Sequence, residues 1–295
     1  MTAILPWIIS RVRTAVQDTL RGIGQIFLQP HAGAGLCFLL AVFVQSRMAA
    51  LACLLGALTA TAYAAVFYPA PARRAGLYGY NSGLIGIGVL VALSPSALSC
   101  LLATTLGIIA TIWSHHWRKT HTLSPYTAPF IATIWLVLAI APWAGWPPAQ
   151  ASAPATLLAD HWGIAAGVLR GVAQVLFMDH PASGLLCVLG LAWANPWTAA
   201  RTLFVSALMM ASAWGLGFPL DPILMGLYGF NAVLVSEALH QAQPGRWLLW
   251  TIGILLSLLL MRGFQQLMIP ALTAPFVLST WVIEKVASRR RHGDI

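Results

Sequence analysis

The sequence predicts an all-α polytopic membrane protein: about ten transmembrane helices in two inverted-topology repeats, each with a re-entrant half-helix. Three observations carry this. Hydrophobic residues make up 59% of the chain and charged residues 8%, whereas a soluble domain is about a quarter charged. So few charges cannot clothe a soluble surface, and the lipid bilayer must cover the rest. The block Gly76-Leu77-Tyr78-Gly79-Tyr80-Asn81 returns as Gly226-Leu227-Tyr228-Gly229-Phe230-Asn231, 150 residues later in a chain of 295. A repeat of that length is half a protein used twice. Finally, each half opens on a half-length segment, moderately polar in the first half (Gln17, Asp18, Arg21, Gln25), too short to cross a bilayer and stopped by Pro30 in the first half and Pro181 in the second.

The elements follow in order. Residues 1–13 form an interfacial lead-in: the apolar patch Ala3–Ile9 precedes Arg11 and Arg13, the reverse of the charge order in a cleavable signal. Residues 14–144 form the first half. Its half-length segment (14–29) is followed by apolar segments at 33–46, 49–68, 79–94, 97–115 and 127–144. A Pro- and Ala-rich connector spans 145–162. Residues 163–284 repeat the plan, with a half-length segment at 163–179 and spans at 183–195, 202–218, 228–242, 247–262 and 270–284. Residues 285–295 are a basic tail.

Other blocks keep the register. Leu20-Arg21-Gly22-Ile23-Gly24-Gln25 matches Leu169-Arg170-Gly171-Val172-Ala173-Gln174 at an offset of 149, and His31 matches His180. Thr127-Ala128-Pro129-Phe130 matches Thr273-Ala274-Pro275-Phe276 at 146. Five spans per half put the second copy into the membrane from the opposite side. With the N-terminus inside, thirteen of the 16 Lys and Arg fall on the inner side and only Arg47, Arg170 and Arg262 on the outer. That is the bias of a protein with both termini inside. It explains the net charge of +9 better than a nucleic-acid partner does. The cysteines Cys37, Cys53, Cys100 and Cys187 lack metal-ligand spacing, and no motif for an enzyme, metal or cofactor is present.

Polar groups at membrane depth are costly and mark a pathway between inverted halves. Gln25 and Gln174, duplicated on the half-helices, offer amide oxygens to a passing N–H donor; the plainer reading is helix–helix glue. Thr127 and Thr273 either cap carbonyls freed by the following proline or present hydroxyls to the path. Tyr80 with Leu84, and Phe230 with Leu234, lie four residues apart on one helix face and form either ordinary core or a flat apolar slot that Phe177 shares. Asn81 and Asn231 satisfy local backbone at the glycine-rich entry. Glu237 is an intramembrane acid without a twin, since Ile87 holds its repeat position, and it has His240 as a partner within reach. His115 and His116, beside Arg118 and Lys119, read as a solvated loop. The absence of paired intramembrane acids favours a small, flat, neutral solute moving downhill, such as urea or another short amide, ammonia or water; a proton-coupled transporter using Glu237 is the competing reading.

These three duplicated blocks, spread over residues 15 to 284, resemble the urea transporter family of bacteria and vertebrates. The resemblance implies channel-like passive permeation of urea, one pore per subunit of a homotrimer, and a multi-pass protein of the bacterial cytoplasmic (inner) membrane. It places Gln25, Gln174, Thr127 and Thr273 on an oxygen ladder, and Leu84, Leu234 and Phe177 against the solute's faces. One departure is Leu28, where the family pattern often has Phe; either the slot is wider there, or neighbouring Phe27 takes the position after a small rotation.

Overall fold

The computed structural model describes residues 4–149 and 160–293. Of the expected connector, 150–159 lie outside the described residues. The described elements of the first half are α1 (Ile4–Gly24), a 3-10 turn (Gln25–Phe27), α2 (Ala32–Gln45), α3 (Arg47–Phe67), α4 (Ala70–Arg74), α5 (Gly79–Ala92), α6 (Ala97–Thr120) and α7 (Ala128–Ile140). The second half gives α8 (His161–Ala173), a 3-10 turn (Gln174–Leu176), α9 (Pro181–Ala194), α10 (Pro196–Gly215), α11 (Leu220–Leu224), α12 (Phe230–Ala242), α13 (Trp247–Gln266) and α14 (Ala274–Gly293). The order is the same, and no strand occurs among the described residues.

The caps repeat with the helices. His31 Nδ1 accepts from Ala34 N at 3.1 Å at the start of α2, and His180 Nδ1 accepts from Ala182 N at 3.1 Å at the start of α9. Ser46 and Asn195 cap α3 and α10 in the same way. Between α1 and α2 the chain bends by 72°, and between α8 and α9 by 74°. Each bend is a 3-10 turn followed by a left-handed residue, Leu28 (φ 59°) or Phe177 (φ 60°). The closing bonds also match: Gln29 N donates to Gly24 O at 3.1 Å, and Met178 N to Ala173 O at 3.3 Å. A bulky residue in this conformation costs on the order of 1–3 kcal/mol, so the surrounding packing must hold it.

Among the described residues, three helices, Arg47–Phe67, Ala97–Thr120 and Trp247–Gln266, are long and apolar enough to cross a membrane alone, and five spans result if each bent pair is one. The two glycine-block helices are shorter: α5 has 14 residues and α12 has 13, roughly 20 Å each at 1.5 Å per residue. Each follows a short helix, α4 or α11, that periodicity did not reveal. Two boundaries also move. α1 runs unbroken through residues 13 and 14, because nothing between Trp7 and Leu20 breaks a helix. α14 continues through the basic tail to Gly293, where Lys and Arg both favour helix and suit its C-terminal dipole. α6 likewise carries His115 and His116 within a helix; His115 stacks on Tyr68 at 3.8 Å and shares a 2.8 Å hydrogen bond with the Tyr78 hydroxyl.

The halves join along α2 and α9. His31, at the start of α2, faces Trp193 near the end of α9. Gln45, at the end of α2, bonds Asp179 just before α9. These equivalent helices therefore run antiparallel. Small residues allow the approach: a Cβ on Gly190 would lie 2.8 Å from Cys37 Cβ.

Within each half, the glycine block packs on the half-helix. Gly76 (φ 77°) and Gly226 (φ 75°) both need the left-handed region. A Cβ on Gly76 would stand 2.5 Å from the Arg21 carbonyl carbon, and one on Gly226 2.2 Å from Gly171 N. Backbone rests on backbone, which only glycine permits. Gly226→Ala is expected to destabilise the detergent-solubilised protein by more than about 2 kcal/mol, since strain and collision add. Gly145→Ala also has positive φ but meets nothing within 4 Å, so its loss should be about 1 kcal/mol. Thermal unfolding of both variants checks this; equal losses would show that the close approach is not what fixes the block.

Candidate functional site

The two 3-10 turns touch each other near the centre of the molecule, each packed against the glycine-block helix of its own half, α5 or α12. At each turn the glutamine is fixed by the same tie. Gln25 Nε2 donates to Ala75 O at 2.8 Å, and Gln174 Nε2 donates to Met225 O at 3.2 Å. Those acceptors immediately precede Gly76 and Gly226. The bond sets which way each amide points, and among the described residues no protein group donates to Gln25 Oε1 or Gln174 Oε1. One N–H of each amide is held by the protein, and the oxygen is left to accept from something else.

Thr127 and Thr273 meet: their hydroxyls lie 2.7 Å apart, and both side chains are buried. This bond joins the halves at equivalent positions. Neither threonine caps its helix; Thr127 sits at the N-terminus of α7 without a side-chain cap bond. Asn81 and Asn231 hold the two turns. Asn81 donates to Tyr126 O at 3.2 Å and accepts from Phe130 N at 3.3 Å. Asn231 donates to Leu272 O at 3.3 Å and accepts from Phe276 N at 3.0 Å. Both asparagines satisfy backbone, as expected of them, but not at the glycine entry. They clasp the Thr-Ala-Pro-Phe turn of a later helix, whose preceding residues Tyr126 (φ 45°) and Leu272 (φ 47°) are left-handed.

The apolar candidates fall around these groups. Leu84 and Leu234 are buried, as are Phe230 and Tyr80, whose hydroxyl donates to Tyr126 O at 2.8 Å. Phe177 is half-buried, with its ring 5.5 Å from Phe130. It also lines an 860 Å³ cavity with Gln45, Ser46, Leu90, Ser94 and Asp179. Phe27 goes elsewhere. It is buried 4.5 Å from Phe38, and its repeat partner is buried Leu176, not Phe177. Leu28 holds the position equivalent to Phe177, with the same left-handed backbone and partial burial. The left-handed turn swings residue 28 away from the core and leaves residue 27 in it, so no small rotation exchanges them.

Sequence reading missed a polar cluster beside Leu28. Glu237, paired with Arg201 and not with His240, also accepts from Gln29 Nε2 at 2.9 Å and Gln241 Nε2 at 2.8 Å. Gln241 reaches on to Leu28 O at 3.1 Å. One element of the second half thus clamps the half-helix tip of the first. The available signal was one of pattern: Arg201, Gln241 and Gln29 all stand where the repeat places apolar residues, namely Ala52, Val91 and Met178.

Together these features define a class: a polytopic, all-α membrane protein with duplicated amides and hydroxyls brought to the seam between its halves. More particularly, the chain belongs to the urea transporter family, a family of transporters and not of enzymes, whose model matches residues 16–288. Over a 69-residue stretch it is 39% identical to urea transporter 1 of sheep (Ovis aries) and of goat (Capra hircus), and 38% identical to urea transporter 1 of mouse (Mus musculus). That stretch covers 23% of this chain and 18% of each relative, so the match spans under a fifth of the relatives' length.

A buried carboxylate without its countercharge is costly. Arg201→Gln is expected to lower stability by about 3 kcal/mol or more, and Arg201→Gln/Glu237→Gln to recover most of that loss. Thermal unfolding in detergent measures both. A double variant no better than the single would show that Arg201 matters for something other than neutralising Glu237.

Proposed function

We propose that this protein is a passive channel for urea, with a pore running between its two halves. The observation that carries this is the duplicated tie on Gln25 and Gln174, which commits each amide nitrogen to a backbone carbonyl and leaves each oxygen for a solute. Urea is flat and uncharged, and it carries four N–H donors. Gln25, Thr127, Thr273 and Gln174 form the oxygen ladder that replaces its water hydrogen bonds one at a time. Leu84, Leu234, Tyr80, Phe230 and Phe177 supply apolar walls, and Leu28 takes the place opposite Phe177. Phe27 is a core residue in this reading.

The half-helices support the choice of solute. α1 and α8 both end at the 3-10 turns, so their C-terminal, negative dipole ends converge on the pathway. N–H donors are drawn in and anions are repelled. The pairing of Glu237 with Arg201 speaks against a proton-coupled mechanism, because this acid already has its countercharge.

The antiparallel packing of α2 on α9 supports two inverted halves, related by an axis in the membrane plane. In this reading there are ten spans, counting the shorter elements, and both termini are cytoplasmic. By family resemblance the protein is a homotrimer of the bacterial cytoplasmic membrane, with a pore in each subunit.

Stopped-flow light scattering on proteoliposomes tests the reading. Wild type should show rapid, saturable urea flux without an ion gradient, and Gln25→Ala/Gln174→Ala should lower it by tenfold or more, as expected for two lost acceptors at about 1 kcal/mol each. Full flux in the double variant would return the glutamines to structural glue. Uptake only under a proton gradient would sink the passive mechanism. A second comparison concerns Leu28→Phe, which makes the two mouths alike. It should reduce the flux of N-methylurea more than that of urea; equal reduction would mean that residue 28 does not set the width of the slot.

A further inference from the structure

The duplicated fold carries its own control for a surface feature. Two lateral grooves occupy equivalent positions in the halves. The first, of 580 Å³, lies between α1, α3 and α4; the second, of 540 Å³, involves α8 and α10. Ala15, Thr19, Thr61 and Ala65 line the first, and the residues 149 positions later, Ile164, Val168, Met210 and Trp214, line the second. They are one groove, built twice.

Their chemistry differs. The second groove is walled by apolar residues throughout. The first adds Arg11, Arg73 and Arg74, with the hydroxyls of Ser10 and Thr14. In the second half the repeat replaces Arg73 and Arg74 with buried Ile223 and Leu224, and Arg11 with Asp160. The one acid in the first groove, Asp18, is buried and already shared. It accepts from Arg73 Nε at 3.0 Å and lies 3.6 Å from Arg21. Asp18 is thus committed to Arg73 and Arg21, while Arg74 is exposed at the rim.

The surroundings say what kind of anion fits. Val12 and Val16, on the exposed face of α1, and Leu58, on α3, remain open to the outside, where this protein meets hydrocarbon. The arginines of α4 lie just past the C-terminal end of α3. From there the groove continues along Ala65 and Ala62 to Leu58, two turns or about 10 Å deeper. A basic end joined to an apolar trough matches an amphiphile, with a phosphate at the guanidinium groups and an acyl chain along α3. Arginine forks suit phosphate oxygens, and basic groups at the interface select anionic lipid.

We propose that the groove between α1, α3 and α4 binds the headgroup of an anionic phospholipid, while its apolar counterpart between α8 and α10 does not. With the inverted topology proposed above, the two grooves open towards opposite leaflets, and the basic one faces the cytoplasmic leaflet. The binding claim itself does not depend on transport, and it is read out separately from flux.

Native mass spectrometry of the full chain in detergent tests it, with phosphatidylglycerol, phosphatidylcholine and inorganic phosphate as probes. Wild type should retain phosphatidylglycerol in preference to phosphatidylcholine, and the preference should weaken as salt rises. Arg11→Gln/Arg74→Gln should lower phosphatidylglycerol affinity about thirtyfold, Arg11→Lys/Arg74→Lys should keep most of it, and Trp214→Ala in the apolar groove should leave it unchanged. Equal retention by wild type and the Gln variant overturns the proposal, as does a wild-type preference indifferent to salt. Inorganic phosphate binding as tightly as phosphatidylglycerol would assign the groove to a free anion and overturn the lipid reading.

Discussion

The close contact of one backbone turn with another underlies the rest of this structure. Gly76 and Gly226 sit against the Arg-Gly steps of α1 and α8 at distances that leave no room for a Cβ. That contact places Ala75 O and Met225 O where they take the amide protons of Gln25 and Gln174. Were the glycine turn farther away, the glutamines would have no fixed partner at membrane depth. Their amides would then collapse onto other backbone groups, since an unpaired polar group there costs several kcal/mol. The Leu-Arg-Gly and Gly-Leu-Tyr-Gly blocks are therefore two sides of one joint. Their joint recurrence in both halves follows from packing as well as chemistry.

A second constraint acts through the left-handed residues. Leu28 and Phe177 end the 3-10 turns, and Tyr126 and Leu272 precede the threonines. None is glycine, so each carries a conformational cost. The cost is met by identical devices in the two halves: closure onto Gly24 O and Ala173 O, and the asparagine clasps onto Tyr126 O and Leu272 O. Residues held this way have little freedom to rearrange. A pathway that strips water from a solute needs that rigidity, because acceptors already in place spend no ordering entropy when the solute arrives.

Much of this was legible in the sequence, and the reason is the repeat. Registering one half on the other picks out the two half-length segments and pairs Gln25 with Gln174, Thr127 with Thr273 and His31 with His180. Hydropathy placed the long elements to within a few residues. It failed where a segment's period carries no information: α4 and α11 are single turns, and the basic end of α14 is helical for reasons of propensity and dipole. Contacts between distant segments were beyond it. Asn81 looked bound to its own glycine block, yet its partners lie 45 and 49 residues on. Sequence proximity pairs Glu237 with His240, while its partner Arg201 stands 36 residues back on another helix. Adjacency misled at Phe27 as well, because a left-handed residue sends neighbouring side chains in unrelated directions.

The pattern of agreement between the halves separates centre from mouth. Gln25 with Gln174, Thr127 with Thr273, Leu84 with Leu234 and Asn81 with Asn231 are identical pairs, and Tyr80 with Phe230 keeps an aromatic ring. Other pairs diverge: Leu28 with Phe177, Gln29 with Met178, and Ile87 with Glu237. One mouth is braced by the carboxylate cluster on Leu28 O, the other by Gln45 bridging to Asp179 and His180. In the proposed pore, a solute crossing the middle has lost its water and must find acceptors from whichever side it comes, so both halves would offer the same groups there. At the mouths water still solvates it, and each half is free to solve the problem of bracing its turn with different residues.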